Sequence, residues 1–157
     1  MTISRGSHLA YPEFKKRHEP AEPEPVQWTW REISDRLGAV EHPERGTLAL
    51  TLPGGSAEIL RDLALAYQVI PAGRSTSPHA HTWYHLFVVQ SGSGAVTFQG
   101  GGTDPLNPGD VLLVPAWSTH HFTNADDQDL VLLNLMNIPL LARLGDISTR
   151  QPQEAAA

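Results

Sequence analysis

The 157-residue chain contains no cysteine. That excludes a disulfide framework and a thiolate metal site, and it leaves His, Asp and Glu as the side chains able to hold a transition metal. No run approaches the roughly 18 apolar residues of a membrane span, and the N-terminus lacks the apolar stretch of a secretory signal, so a cytoplasmic location is expected. Basic residues are few: 11 Lys and Arg stand against 17 Asp and Glu, giving a formal charge of −6 and a pI near 5.7. Phosphate backbones and anionic lipid both recruit clustered Lys and Arg. Neither nucleic acid nor a membrane is therefore an expected partner.

What is present suffices for one core, with 40% of residues hydrophobic in a chain of ordinary domain length. Residues 1–26, closing on RHEPAEPEPV, combine charge with repeated proline and offer too little apolar surface to offset the entropy of ordering; a flexible arm is expected. The ending STRQPQEAAA suggests an equally loose tail over 147–157. Residues 27–146 then form a single domain. Within it, WTWREISDRLG sets Trp30, Ile33 and Leu37 at helical spacing, with Thr29 as N-cap and Gly38 past the end. IPLLARLG predicts a short closing helix.

Between these helices lie short runs rich in Leu, Val, Phe and Tyr: TLALTL, LALAYQVI, YHLFVVQ, GAVTF, DVLLVP, HHFTN and DLVLLNLM. Turn signals such as PGG, PAG, QSGSG, QGGG, NPGD and NADD separate many of them. Short strands at close spacing, with Gly and Pro at the turns, predict an all-β sandwich or barrel rather than a βαβ array.

Three of the eight histidines crowd into PHAHTWYHLF. Side chains of one parity share a face of an extended segment, and His79, His81, Trp83, His85, Phe87 and Val89 share parity. In VPAWSTHHFTN, His120 and Phe122 share one face while His121 faces outward. Imidazoles buried in an apolar barrel cost roughly 1–3 kcal/mol each when unpaired, and a divalent cation removes that cost by taking one lone pair per ring. His79, His81, His85 and His120 are thus the candidate ligands, the alternative for His85 being a hydrogen-bonded core histidine. Nitrogen ligands of this kind accept Fe, Mn, Co, Ni, Cu or Zn. His8, His18 and His42 fall in loops or tails and receive no role.

These residues resemble the two motifs of the cupin superfamily. The first, G-x5-H-x-H-x3-E-x6-G, is matched by Gly73, His79, His81, His85 in the glutamate position, and Gly92. The second, G-x5-P-x-G-x2-H-x3-N, is matched by Gly109, Pro115, Trp117 in the glycine position, His120 and Asn124. The resemblance implies a double-stranded β-helix, or jelly-roll barrel, with short flanking helices. From Trp28 to Gly145 the chain is similar to the N-terminal cupin of gentisate and salicylate 1,2-dioxygenases, through its W-x-W segment, GDVLLVPAWSTHHF and NIPLL. That likeness implies Fe(II) on His79, His81 and His120, with Gln68 touching a substrate that offers a ring hydroxyl and a carboxylate. Where those enzymes carry an arginine, a histidine, an acid and a tryptophan, this chain has Phe87, Phe122, Asn134 and Ala64. The H-x-H-x3-H spacing is also similar to small four-histidine cupins that hold manganese.

One divalent metal per chain is expected, Fe(II) or Mn(II) first. Phe87, Trp117, Phe122 and Trp83 are the expected apolar lining of the pocket, with Gln68 and Asn134 as its polar contacts. Four neutral ligands leave the cation its full charge, which favours a small anionic substrate. The functions that follow are a non-haem dioxygenase cleaving a C–C bond in an aromatic or enolisable substrate, a redox-neutral lyase, isomerase or decarboxylase, or a non-catalytic metal or ligand binder. YHLFVVQ and DLVLLNLM are apolar on both faces, so a homodimer packed sheet against sheet is expected to cover the outer one.

Overall fold

Alternating apolar residues become strands almost wherever the sequence carries them. The computed structural model describes residues 7–17, 24–37 and 46–150. Among these the strands are β1 (Gly46–Ala49), β2 (Ala64–Ile70), β3 (Ala80–His81), β4 (His85–Ser91), β5 (Gly94–Phe98), β6 (Thr103–Leu106), β7 (Val111–Val114), β8 (His120–Thr123), β9 (Leu130–Met136) and β10 (Thr149–Arg150). The helices are α1 (Tyr11–Arg17), α2 (Trp30–Leu37) and α3 (Ile138–Leu144). All seven apolar runs of the sequence contribute a strand. β6 escapes the pattern because Pro105 sits inside it; proline is tolerated there because β6 is the edge of its sheet.

Every pairing between named strands is antiparallel. A five-stranded sheet runs in the order β1-β2-β9-β4-β7, a three-stranded sheet β6-β5-β8 faces it, and the pair β10-β3 lies at one end. The inward faces enclose a core of Ile70, Phe87, Val89, Val96, Leu106, Val114, Phe122, Leu130 and Leu132. The all-β jelly-roll with short flanking helices expected from the sequence is the fold observed.

Alternation sorts the inward face of the large sheet by height as well as side. Ile70, Leu130, Leu132 and Val89 form an apolar floor, while the same strands further along turn Gln68, Asn134 and His85 inward, all buried. The outward residues Tyr67, Val69 and Val131 are buried by α2 through Ile33, with Trp28, Leu37, Leu65 and Leu133 packed around them. A capping box starts this helix. The Glu32 N–H donates to Thr29 Oγ1 at 3.3 Å and the Thr29 N–H donates to Glu32 Oε2 at 3.3 Å. Gly38 lies outside the described residues. At α3, Pro139 occupies the first turn and Gly145 closes the helix in the left-handed conformation, φ +70°.

Two elements fall where loose chain was expected. α1 forms within the arm, with Pro12 and Glu13 suited to a first turn. β10 lies in the segment expected as a tail and pairs with β3, Thr149 against His81 and Arg150 against Ala80. A two-residue strand has no periodicity to read, so only its partner reveals it.

The turn between β4 and β5 tolerates no side chain at Gly92. Its φ is +72°, and a Cβ there would overlap the Asp129 carbonyl. Gly92→Ala is therefore expected to lower stability by about 2–4 kcal/mol, from backbone strain and overpacking together, measured as the shift in the urea unfolding midpoint; an unchanged midpoint would show that the turn relaxes freely.

Candidate metal centre

The two motifs meet through the backbone. The His79 N–H donates to the His120 carbonyl at 3.1 Å and the His120 N–H donates back to the His79 carbonyl at 3.0 Å, an isolated antiparallel bridge that sets these residues directly opposite. On either side, Thr76 N–H donates to Phe122 O at 2.9 Å and Trp117 N–H to His81 O at 2.8 Å. Asn124, the last residue of the second motif, is buried. Its Nδ2 donates to the Ile70 and Gln128 carbonyls at 2.9 and 2.8 Å, tying off the turn after β8.

His79, His81 and His120 come together with their ligand atoms within 4.8 Å of one another. His81 and His120 are buried and His79 is half-buried. Each ring is oriented by a backbone carbonyl two residues away. Nδ1–H donates to Ser77 O from His79 at 2.9 Å, to Trp83 O from His81 at 2.7 Å, and to Ser118 O from His120 at 2.9 Å. A carbonyl can only accept, so Nδ1 carries the proton in the neutral ring and Nε2 keeps its lone pair. Histidines that ligate metals are commonly fixed in this way.

His85 stands beside the trio. Its Nδ1–H donates to Asn134 Oδ1 at 2.7 Å, which leaves its Nε2 with a lone pair 2.8 Å from His81 Nε2. Two nitrogens that each present a lone pair repel unless a cation or proton lies between them. Two imidazoles at right angles on one ion, with bonds of ~2.0–2.1 Å, would stand ~2.9 Å apart. The Trp83 indole N–H also donates to His85 Nε2, at 3.2 Å, so this ring has a second partner. Burial first, then the neighbouring His81, push the His85 pKa down from 6.5 to about 2. It is neutral at physiological pH. The donor set, all-nitrogen with tautomers fixed for Nε2, fits a divalent transition metal on His79, His81 and His120, with His85 in reach.

Beside these rings is a cavity of about 230 Å³ lined by Thr47, Gln68, His79, His81, Trp83, His85, Asn134, Met136 and Thr149. No Asp, Glu, Lys or Arg is among them. Trp83 stacks on His81, centroids 4.2 Å apart at 6°. Gln68 is buried, and its Nε2 has no hydrogen-bond partner among the described residues. The expected apolar lining is only partly here. Phe87 and Phe122 share the parity of the ligands but lie a layer deeper in the core, where Phe87 stacks beneath His85 at 4.8 Å and meets Phe122 edge-on at 5.2 Å. Trp117 is 41% exposed and turns outward. Thr47, Met136 and Thr149 were not foreseen. His121 is half-buried on the opposite parity to His120, and His8 is exposed; His18 and His42 lie outside the described residues.

Fold and site together define a β-barrel protein whose two histidine motifs converge at one end, the architecture of a cupin. Residues 66–136 match the Cupin domain family, and the barrel of this chain is a cupin domain. Among curated proteins it is similar to a gentisate 1,2-dioxygenase of Ralstonia sp, 26% identical over 127 residues, covering 75% of this chain and 36% of that one. It is 33% identical over 132 residues to a 5-aminosalicylate 1,2-dioxygenase of Comamonas sp, covering 79% and 35%. The chain thus spans well under half the length of these relatives. Among solved structures, salicylate 1,2-dioxygenase from Pseudoaminobacter salicylatoxidans with gentisate superimposes with a TM-score of 0.73 at 19% identity, covering 81% of this chain and 37% of that one. The polyketide cyclase RemF from Streptomyces resistomycificus gives 0.58 at 20%, covering 72% and 74%. At such identities the structural likeness is one of fold. Among the described residues no helix is long and apolar enough to cross a membrane.

The depressed pKa of His85 has a sign that can be tested. The unfolded chain binds this proton near pH 6.5 and the folded metal-free protein only near 2, so the contribution to stability is full above 6.5 and is lost as pH falls below it. Stability of metal-free protein should fall by up to about 1.4 kcal/mol per pH unit between 6 and 4 from this ring alone. Denaturant titrations of His85→Leu should show that component of the slope removed; identical slopes in both proteins would contradict the assignment.

Proposed function

We propose that this chain is a metal-dependent dioxygenase acting on a small, hydroxylated aromatic or enolisable anion, cleaving the C–C bond beside the hydroxyl and placing both atoms of dioxygen in the product. The observation that carries the proposal is the set of uniformly tautomerised histidines facing a cavity whose lining, among the described residues, has no Asp, Glu, Lys or Arg. Fe(II) or Mn(II) is the proposed cofactor, held by His79, His81 and His120 with His85 as fourth ligand. When bound, the metal would supply a Lewis acid that lowers the pKa of a ligated hydroxyl and a site for dioxygen.

The chain's own residues set what can enter. With neutral nitrogen ligands and no Asp, Glu, Lys or Arg among the described lining residues, a substrate anion has its charge matched at the histidine cluster. Trp83 offers a flat apolar wall. The unpartnered Gln68 Nε2 is a donor in search of an acceptor oxygen. Asn134 holds the His85 tautomer and so acts on the ligands rather than on substrate. A cavity of about 230 Å³ accommodates one ring, since ~150 Å³ suffices for benzene. His85, whose Nε2 has the Trp83 indole N–H as an alternative partner, would be the least firmly committed member of the donor set. The curated relatives are named as 1,2-dioxygenases, which supports the reaction class.

A redox-neutral reaction, with the metal as Lewis acid only, is the second reading, favoured by the neutral all-nitrogen donor set, which would leave a divalent cation its full charge to polarise a carbonyl or carboxylate. Oxygen consumption separates the two. Metal-loaded protein given a panel of hydroxybenzoates and 1,3-diketones should consume dioxygen in step with substrate, and His120→Ala should abolish it. Turnover without oxygen uptake would replace the first reading by the second. Gln68→Leu should raise KM about 10–100-fold by loss of a buried hydrogen bond worth ~1–3 kcal/mol, while thermal stability holds or rises because an unsatisfied group is removed; an unchanged KM would remove Gln68 from the substrate site.

We also propose a homodimer and a cytoplasmic location. α2 covers only part of the outer face of the large sheet. In register across β9, β4 and β7, Leu135, Leu86 and Leu113 form one row, and a second runs from Leu133 at the margin of the α2 contact to Val88 and Val111. Val111 is 64% and Leu113 57% exposed, an apolar edge that favours a like face. Sedimentation velocity should find a dimer that Val111→Glu/Leu113→Glu dissociates; a wild-type monomer would contradict this.

A further inference from the structure

Trp117 is the only non-glycine residue with positive φ among the described residues, at +62°. It stands where the second cupin motif has glycine. The left-handed conformation costs an L-residue roughly 1–2 kcal/mol, so the surroundings must hold it there. Two contacts do. Its N–H donates to the carbonyl of His81 at 2.8 Å, and its exposed indole is covered by the Arg150 guanidinium, 4.2 Å from the ring centroid.

Arg150 belongs to β10, and the stack is the end of a longer attachment. Thr149 pairs with His81 and Arg150 with Ala80. Just before them, Thr82 N–H donates to Ser148 O at 3.0 Å, Ser148 N–H donates to Thr82 Oγ1 at 3.1 Å, and that hydroxyl donates to Asp146 O at 2.8 Å. The backbone of His81 is thus gripped from two directions: by Trp117 at its carbonyl, and by β10 along its strand and through the next residue. Thr149 also lines the cavity.

We infer that Asp146–Arg150 is a strap that positions the metal ligand His81 and walls the substrate cavity, with Arg150 stacked on the left-handed Trp117 as its latch. The inference rests on the metal reading of the histidine cluster. It explains a tryptophan at a glycine position: the ring supplies the surface that Arg150 needs, and the stacking offsets the strain. Binding linkage then requires reciprocity, so that a latched strap tightens metal binding and bound metal quiets the strap by the same factor.

The test uses Co(II) alone, titrated into the full-length chain and followed by its visible absorption, with hydrogen exchange at Ser148–Arg150 as a second readout. Arg150→Ala should weaken Co(II) binding about three- to tenfold, the range expected for a partly exposed cation–π contact. In the wild type, Co(II) should slow exchange in the strap. In Trp117→Gly, which adopts the same φ without strain but has no ring, adding Arg150→Ala should cost nothing further. Equal Co(II) affinity in wild type and Arg150→Ala, or an equal further loss in the Trp117→Gly background, overturns the strap while leaving the metal reading intact. A wild-type protein that takes up no Co(II) overturns both.

Discussion

The pair of backbone hydrogen bonds between His79 and His120 is the constraint on which the rest depends. It brings two distant stretches of chain into register at single-residue precision and sets two imidazoles 4.6 Å apart, centroid to centroid. Antiparallel neighbours directly opposite one another must project to the same face. Once that bridge forms, alternation along the first segment delivers His81 and His85 to the same side, and alternation along the second puts Phe122 beneath them. A slip of one residue would turn a ligand outward. Residues such as Asn124 and Gly92, which never approach the site, contribute by fixing the turns that hold this register.

Above the bridge, polarity is arranged by height. The lower barrel is closed by Ile70, Val89, Leu130 and Leu132, and the upper end carries imidazoles and amides, nearly all with a partner. His85 spans the two, stacked on Phe87 below and bonded to Asn134 at the side. The exception is Gln68 Nε2. An orphaned donor in a buried site is costly, and this one lines the same cavity as the histidines.

Much of this was legible in the sequence because it is local. Parity placed His79, His81, His85 and His120 on the inward face and His121 on the other. Thr29 as an N-cap gave the start of α2, and the run IPLLARLG gave α3. What parity cannot give is depth. Phe87 and Phe122 have the right face for the cavity yet lie below it, because depth depends on how far each strand has shifted against its neighbours, and that is set non-locally. The same limit hid Thr47, Met136 and Thr149, which enter the lining from β1, β9 and β10 only once the pairings exist. Trp117 failed for another reason: an aromatic residue in a glycine position suggests a pocket wall, but its backbone conformation turns the ring outward to Arg150.

The central claim is that nitrogen atoms from both motifs converge on one metal ion. X-ray absorption at the metal edge, on protein purified without chelators, tests it most directly. One transition-metal ion per chain, with three or four imidazole nitrogens at ~2.0–2.2 Å, is the predicted result, and it should vanish in His79→Ala/His120→Ala. Protein carrying no stoichiometric metal, or metal coordinated by oxygen alone, would contradict the account.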